Sequence, residues 1–122
     1  MQKLAKREEQ IMQVIWHLEK AFIKDIIDEL PEPKPHYNTV ATMVKILVEK
    51  GFLQAEKLGN TYQYTPLVPL AEYRKQDMAT IKRKYFGNSF SKMLTYFAKE
   101  EDLSDDELDE LVRLIKSQKQ SK

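Results

Sequence analysis

The chain lacks cysteine altogether, which excludes disulfides, thiolate metal sites and a thiol nucleophile. Glycine is scarce, with three in 122 residues, and no glycine-rich phosphate loop exists. The two histidines, His17 and His36, have no metal-ligand spacing. No apolar run approaches the roughly 18 residues of a membrane span, and the opening MQKLAKREEQ lacks the apolar core of a signal peptide. Charge of one sign is not in excess either: 20 basic residues face 19 acidic ones, for a net charge of +1. These absences argue against an enzyme, a cofactor or metal site, and membrane insertion. They lead to the expectation of a cytoplasmic protein.

What is present suits one compact domain, or a small domain with an appendage. Charge is unevenly spread. From Arg74 to Lys99 the basic residues face a single acid, Asp77, whereas Glu100 to Glu110 is almost entirely acidic. Helix faces coated with charge account for part of this pattern.

Apolar spacing predicts the elements. A first helix, about Lys6 to Leu18, carries the stripe Ile11, Val14, Ile15 and Leu18, with Trp16 expected in the core. Glu8, three residues after Ala5, supplies the acidic half of a capping box. A short second helix, about Ile23 to Leu30, is stopped by Pro31, Pro33 and Pro35. The third runs from Tyr37 toward Gly51. It would bury Val40, Met43, Val44 and Leu47 and expose Asn38, Thr42, Lys45 and Glu49, with Gly51 as a left-handed cap. Two strands, Phe52 to Leu58 and Thr61 to Thr65, flank the turn pair Gly59-Asn60. Three helices and a hairpin in this order are the plan of a winged helix, in which the third helix enters the major groove.

Beyond Pro69 the chain reads as helix. Leu70, Tyr73, Met78, Ile81 and Tyr85 line one segment up to about Phe86, and Gly87-Asn88 breaks it. Phe90, Met93, Leu94, Phe97 and Ala98 form the next. Ser104 and Glu107 open a last helix with Leu108, Leu111, Val112 and Ile115, and the tail from Ser117 is expected to fray. The fold class is therefore mainly α with a small β-hairpin. A winged helix-turn-helix DNA-binding domain is expected over 1–68 and a helical dimerisation region over 69–122. Three short helices hide too little of their own apolar surface. They either fold back on the winged helix or pair with a second copy, and a two-fold partner suits the reading of a palindrome. The expected dimer set is Ile81, Tyr85, Phe90, Met93, Leu94, Phe97, Leu108, Leu111, Val112 and Ile115.

Double-stranded DNA is the expected partner. Asn38 and Thr39 are candidates for base or phosphate contact, although Asn38 would serve equally as a helix cap. Thr42, one turn further, is the candidate base reader. Ala41 meets a thymine methyl or nothing, and Lys45 meets phosphate. Tyr37, which opens the helix, joins the same set. In the hairpin, Lys57 and Asn60 would meet the DNA backbone, while Tyr62 either does so or packs on the sheet.

Several residues together resemble the penicillinase-repressor (BlaI/MecI-type) transcription regulators. They are Glu8, Ile11-Met12 and Trp16; Tyr37 to Val40 with Thr42; Leu47 with Lys50-Gly51-Phe52; and Tyr64-Thr65-Pro66 with Glu72-Tyr73. Phe86-Gly87, Phe97, Leu103-Ser104 and Glu107 to Leu111 continue the match over nearly the whole chain. The resemblance implies a homodimeric winged-helix repressor on inverted-repeat operators before antibiotic-resistance or related genes. It also implies relief by a membrane-bound zinc-protease sensor, acting directly or through a downstream protease that cuts the dimerisation region. Three departures stand out. Ile46 and Gly59-Asn60 replace basic family positions, which leaves phosphate contact to Lys45, Lys57 and Lys34. The pair Tyr96-Phe97 stands where resistance repressors carry a cleaved Asn-Phe bond. The cysteines of the copper-responsive relatives are missing. The competing reading is a winged-helix protein-interaction or scaffold module without sequence-specific DNA binding.

Overall fold

The computed structural model describes residues 3–120. Their order is α1 (Lys6–Leu18), α2 (Ile23–Glu29), α3 (Tyr37–Glu49), β1 (Leu53–Leu58), β2 (Thr61–Pro66), α4 (Leu70–Tyr85), α5 (Phe90–Glu100) and α6 (Asp105–Gln120). The chain divides into two compact units, one up to Arg74 and one from Lys75 onward.

In the first unit, the periodic apolar residues of α1, α2 and α3 converge on one core. Ile11, Met12 and Ile15 from α1, Ile26 from α2, and Val40, Val44 and Leu47 from α3 are each fully buried, and Phe52 and Leu53 close the cluster. Two helix starts use the same device. Glu8 Oε1 accepts from the Ala5 N–H at 2.7 Å, and Asp25 Oδ2 accepts from the Phe22 N–H at 2.9 Å. In each, an acid on the third helical residue satisfies a backbone donor that has no partner inside the helix.

The end of α3 fixes where the hairpin begins. Gly51 takes φ +83°, the Gly51 N–H donates to Val48 O at 3.0 Å, and the Phe52 N–H donates to Leu47 O at 2.9 Å. This is a Schellman cap, and its accompanying apolar contact falls between Phe52 and Leu47, both inside the core. The strands pair antiparallel from Leu53↔Pro66 to Leu58↔Thr61. Gly59 has φ +64° and Asn60 does not share the left-handed region, the pattern of a turn whose glycine stands first. Ala21, between α1 and α2, adds a short third rung: it exchanges backbone hydrogen bonds with Tyr64 at 3.0 and 2.8 Å.

Trp16 is half-buried rather than central, and its indole N–H donates to Val68 O at 2.9 Å. Tyr73 lies over it at 5.4 Å between ring centroids and meets Phe52 edge-on at 5.9 Å. The Tyr73 hydroxyl is 3.0 Å from Glu9 Oε2. The start of α4 is thereby held on the first unit.

In the second unit, α5 begins at Ser89, whose hydroxyl accepts from the Lys92 N–H at 3.1 Å. It ends with Asp102 at φ +49° and the Leu103 N–H on Ala98 O at 3.1 Å. The capping box of α6 is reciprocal: Ser104 N–H to Glu107 Oε1 and Glu107 N–H to Ser104 Oγ, each 3.1 Å. Contrary to the expected fraying from Ser117, α6 runs on to Gln120. Among the described residues, no helix is long and apolar enough to cross a membrane.

Candidate nucleic-acid interface

The buried stripe of α3 forces the opposite stripe outward, because at about 100° per residue the two are half a turn apart. Asn38, Thr39, Thr42, Lys45 and Glu49 are exposed, and Ala41 is half-buried beside them. Asn38 does not cap the helix. The N-cap position is His36, no side chain caps it, and Asn38 is already helical. The first-turn amides of α3 therefore remain for water or an anion, as an uncapped helix start allows. The Thr42 Oγ1 hydroxyl donates to Asn38 O at 2.9 Å, which leaves its methyl and its acceptor lone pairs facing out.

In the hairpin, Lys57 and Tyr62 are direct cross-strand partners and both are exposed. By the two-residue alternation of strands they share a face with Leu53 and Tyr64, the face that turns inward at the base of the ribbon. Burial raises the Tyr64 hydroxyl above its ordinary pKa, and Tyr37 and Tyr62 push it the same way. Tyr37 and Tyr62 remain 55% and 46% exposed. Asn60 is exposed at the turn.

Lys34 has a different surrounding from the rest. Its ammonium donates to Asp28 O at 2.8 Å and to Leu30 O at 2.5 Å, closing the end of α2 as basic side chains near a helix C-terminus do. The sequence carries that signal, a lysine four residues beyond Leu30. Ile46 is not among the expected DNA contacts, yet it is 37% exposed on the flank of the outer face of α3.

The second unit carries the residues expected to pair. Tyr85, Phe90, Leu94, Phe97, Val112 and Ile115 are exposed, Ile81, Leu108 and Leu111 are half-buried, and Met93 is buried within the single chain. Between α5 and α6 lies a groove of about 230 Å³ lined by Leu94, Phe97, Leu108, Leu111 and Ile115. Tyr96 and Phe97 stand in the body of α5, with their rings 5.5 Å apart and with Phe86 5.4 and 6.1 Å away. Among the described residues, no group of acids and histidines is arranged to hold a metal ion.

A helix-turn-helix whose third helix is free on one face and followed by a two-stranded ribbon defines a winged-helix protein. The chain belongs to the penicillinase repressor family, whose model matches residues 4–117. It is 27% identical over 114 residues to the methicillin resistance regulatory protein MecI of Staphylococcus aureus (strain N315), a match covering 93% of each chain. It is 25% identical over 121 residues to the penicillinase repressor of Bacillus licheniformis, covering 98% of this chain and 94% of the relative. The solution structure of the DNA-binding domain of the repressor BlaI is 30% identical, with a TM-score of 0.51, and covers 60% of this chain and 94% of that domain. The Bacillus licheniformis BlaI monomeric form, solved in complex with the blaP half-operator, is 29% identical with a TM-score of 0.50, covering 59% of this chain and 89% of that one. The family is one of repressors, not enzymes.

Proposed function

We propose that this protein is a transcriptional repressor that binds double-stranded operator DNA through the outer face of α3, with the hairpin on the flanking backbone, and that it acts as a homodimer. The observation that carries the reading is the free face of α3. Asn38, Thr39, Thr42 and Lys45 are exposed in a fold similar to that of a repressor solved on a half-operator. The same resemblance favours the repressor over a scaffold module. Asn and Thr side chains suit base edges, and the uncapped start of α3 suits a phosphate. Lys45 and Lys57 supply the charge.

The exposed apolar residues of α5 and α6 support pairing through the second unit, because a water-exposed groove of this kind is stabilised when a second copy covers it. An inverted-repeat operator matches that two-fold symmetry. Control of resistance or related genes, and relief by a membrane-bound zinc-protease sensor acting near Tyr96 and Phe97, remain part of the proposal by analogy with the family.

Footprinting on the DNA flanking the protein's own gene tests the reading. A protected inverted repeat is expected. With roughly 6–10 phosphate contacts per dimer, affinity should fall about 10³–10⁵-fold between 50 and 200 mM salt. A protein that leaves no footprint and shows a flat salt response is not a DNA-binding repressor.

A further inference from the structure

We infer that Ile46 is a specificity residue that reads a thymine in the major groove through its C5-methyl group; the inference rests on the proposal that α3 enters that groove. A single exposed apolar side chain is ordinary on a protein surface. The position of this one is not, because it flanks a face whose other members can hydrogen-bond. Val40, Val44 and Leu47 are fully buried on the inner face, whereas Ile46 keeps 37% of its surface in water. It stands one helical turn beyond Thr42, and residues four apart lie on one side of a helix. The Thr42 hydroxyl has given its hydrogen to Asn38 O, so Thr42 offers a methyl group and acceptor lone pairs, and Ile46 offers methyl groups alone. In the major groove the only apolar group that any base pair displays is the thymine C5-methyl. Against every other base edge, Ile46 would strip water from a polar group and return no hydrogen bond, which is unfavourable. Lys45, adjacent in sequence and exposed, is then left to a phosphate that fixes the helix in register.

Deoxyuridine tests this directly, because it lacks the methyl group of thymidine and keeps every hydrogen-bonding atom. A duplex is first selected by the full-length chain from a randomised pool. It is then remade with deoxyuridine at each thymidine in turn. At one position per half-site the wild-type chain is expected to bind about fourfold more weakly, the effect of failing to bury one methyl-sized group. Ile46→Ala should bind the unmodified duplex more weakly and lose no further affinity at that position, while keeping its sensitivity elsewhere. Ile46→Val, which retains branched methyls, should keep the sensitivity. The inference is overturned if no deoxyuridine position loses its effect in Ile46→Ala. If the wild-type chain enriches no sequence, the DNA-binding proposal fails as well, and the two failures are distinguishable.

Discussion

Lys50, the residue that closes α3, places its ammonium 2.9 and 3.1 Å from the two carboxylate oxygens of Glu8 in α1. Glu8 is buried and also accepts from the Ala5 N–H, so one carboxylate caps the first helix and anchors the end of the third. Burial works to raise the Glu8 pKa, but the Ala5 hydrogen bond and Lys50 outweigh it, and the group titrates below its ordinary 4.5. A depressed carboxylate stabilises the fold in full above its unfolded pKa, and the stabilisation disappears as pH falls through the lower folded value. Glu8→Gln is expected to cost about 1–3 kcal/mol at neutral pH. That lies between exposed and buried pairs, because Lys50 keeps 24% of its side chain in water. Urea unfolding across pH checks both magnitude and sign: the gap between wild type and variant should stay constant down to about pH 5 and narrow below about pH 4.5. A gap that widens on acidification contradicts the assignment.

Gly51 is expected to be intolerant of a side chain for a purely backbone reason. A Cβ added there would meet nothing within 4 Å, but φ is +83°. Gly51→Ala should therefore lower stability by about 1–2 kcal/mol, the cost of a left-handed non-glycine residue. The outer face of α3 is untouched by the change, so DNA affinity of the folded fraction should hold. Thermal unfolding alongside a binding titration separates the two.

Much of this arrangement is legible from local pattern. The spacing of Val40, Val44 and Leu47 marks the buried side of α3, Gly51 its end, Gly59-Asn60 the turn, and Ser104 with Glu107 the start of α6. What periodicity does not carry is pairing across long sequence distances. The Glu8–Lys50 ion pair, the bond from Trp16 to Val68 and the rungs between Ala21 and Tyr64 all join residues whose local spacing is ordinary. The apolar stripe along α4 divides for a related reason. Tyr73 packs with Trp16 and Phe52, whereas Met78 and Tyr85 are 42% and 68% exposed. One stripe on one helix serves two surroundings, because α4 begins in one compact unit and ends in the other. In the interface, the charge of Lys34 points to phosphate, whereas its place four residues beyond Leu30 fits the closing of α2.

Thr42→Glu is expected to abolish specific DNA binding while leaving the fold intact. Thr42 is exposed and its hydroxyl bonds locally, to Asn38 O, so stability should change by no more than about 0.5 kcal/mol. A carboxylate at that point opposes the phosphates and accepts where adenine N7 and guanine N7 also accept. Lys45→Ala should instead weaken binding almost uniformly across sequences and reduce the salt slope by about one for each phosphate left without its lysine. Titrations at several salt concentrations with a selected and a scrambled duplex distinguish the roles. Specific binding that survives Thr42→Glu removes the recognition assignment.

Ile115→Glu probes pairing. Ile115 is 41% exposed in the single chain, so an acid there costs the isolated chain little, whereas a second copy across the groove would have to bury it unpaired. Sedimentation should show the wild type as a dimer and the variant as a monomer at micromolar concentration. The variant should bind an inverted repeat far more weakly, with half-site affinity nearly unchanged. A wild-type chain that sediments as a monomer contradicts pairing outright.

The Tyr96–Phe97 bond should resist proteolysis in the folded chain. It lies within α5, between Phe90 and Glu100, and both rings pack with Phe86. A protease takes its substrate extended, so the helix must open before the bond is cut, and the rate follows the population of the opened form when reclosing is fast. Thr95→Pro tests this without altering either aromatic residue. Thr95 is exposed, so the substitution removes a helical hydrogen bond and adds a clash worth about 3 kcal/mol. Cleavage by an aromatic-specific protease should quicken by about tenfold to a hundredfold in the variant, since each 1.4 kcal/mol is worth about tenfold. Equal rates in the two chains would mean that α5 opens freely. In that case the helix is not what controls access to the bond, and a regulatory cut near Tyr96 would need no prior change in the second unit.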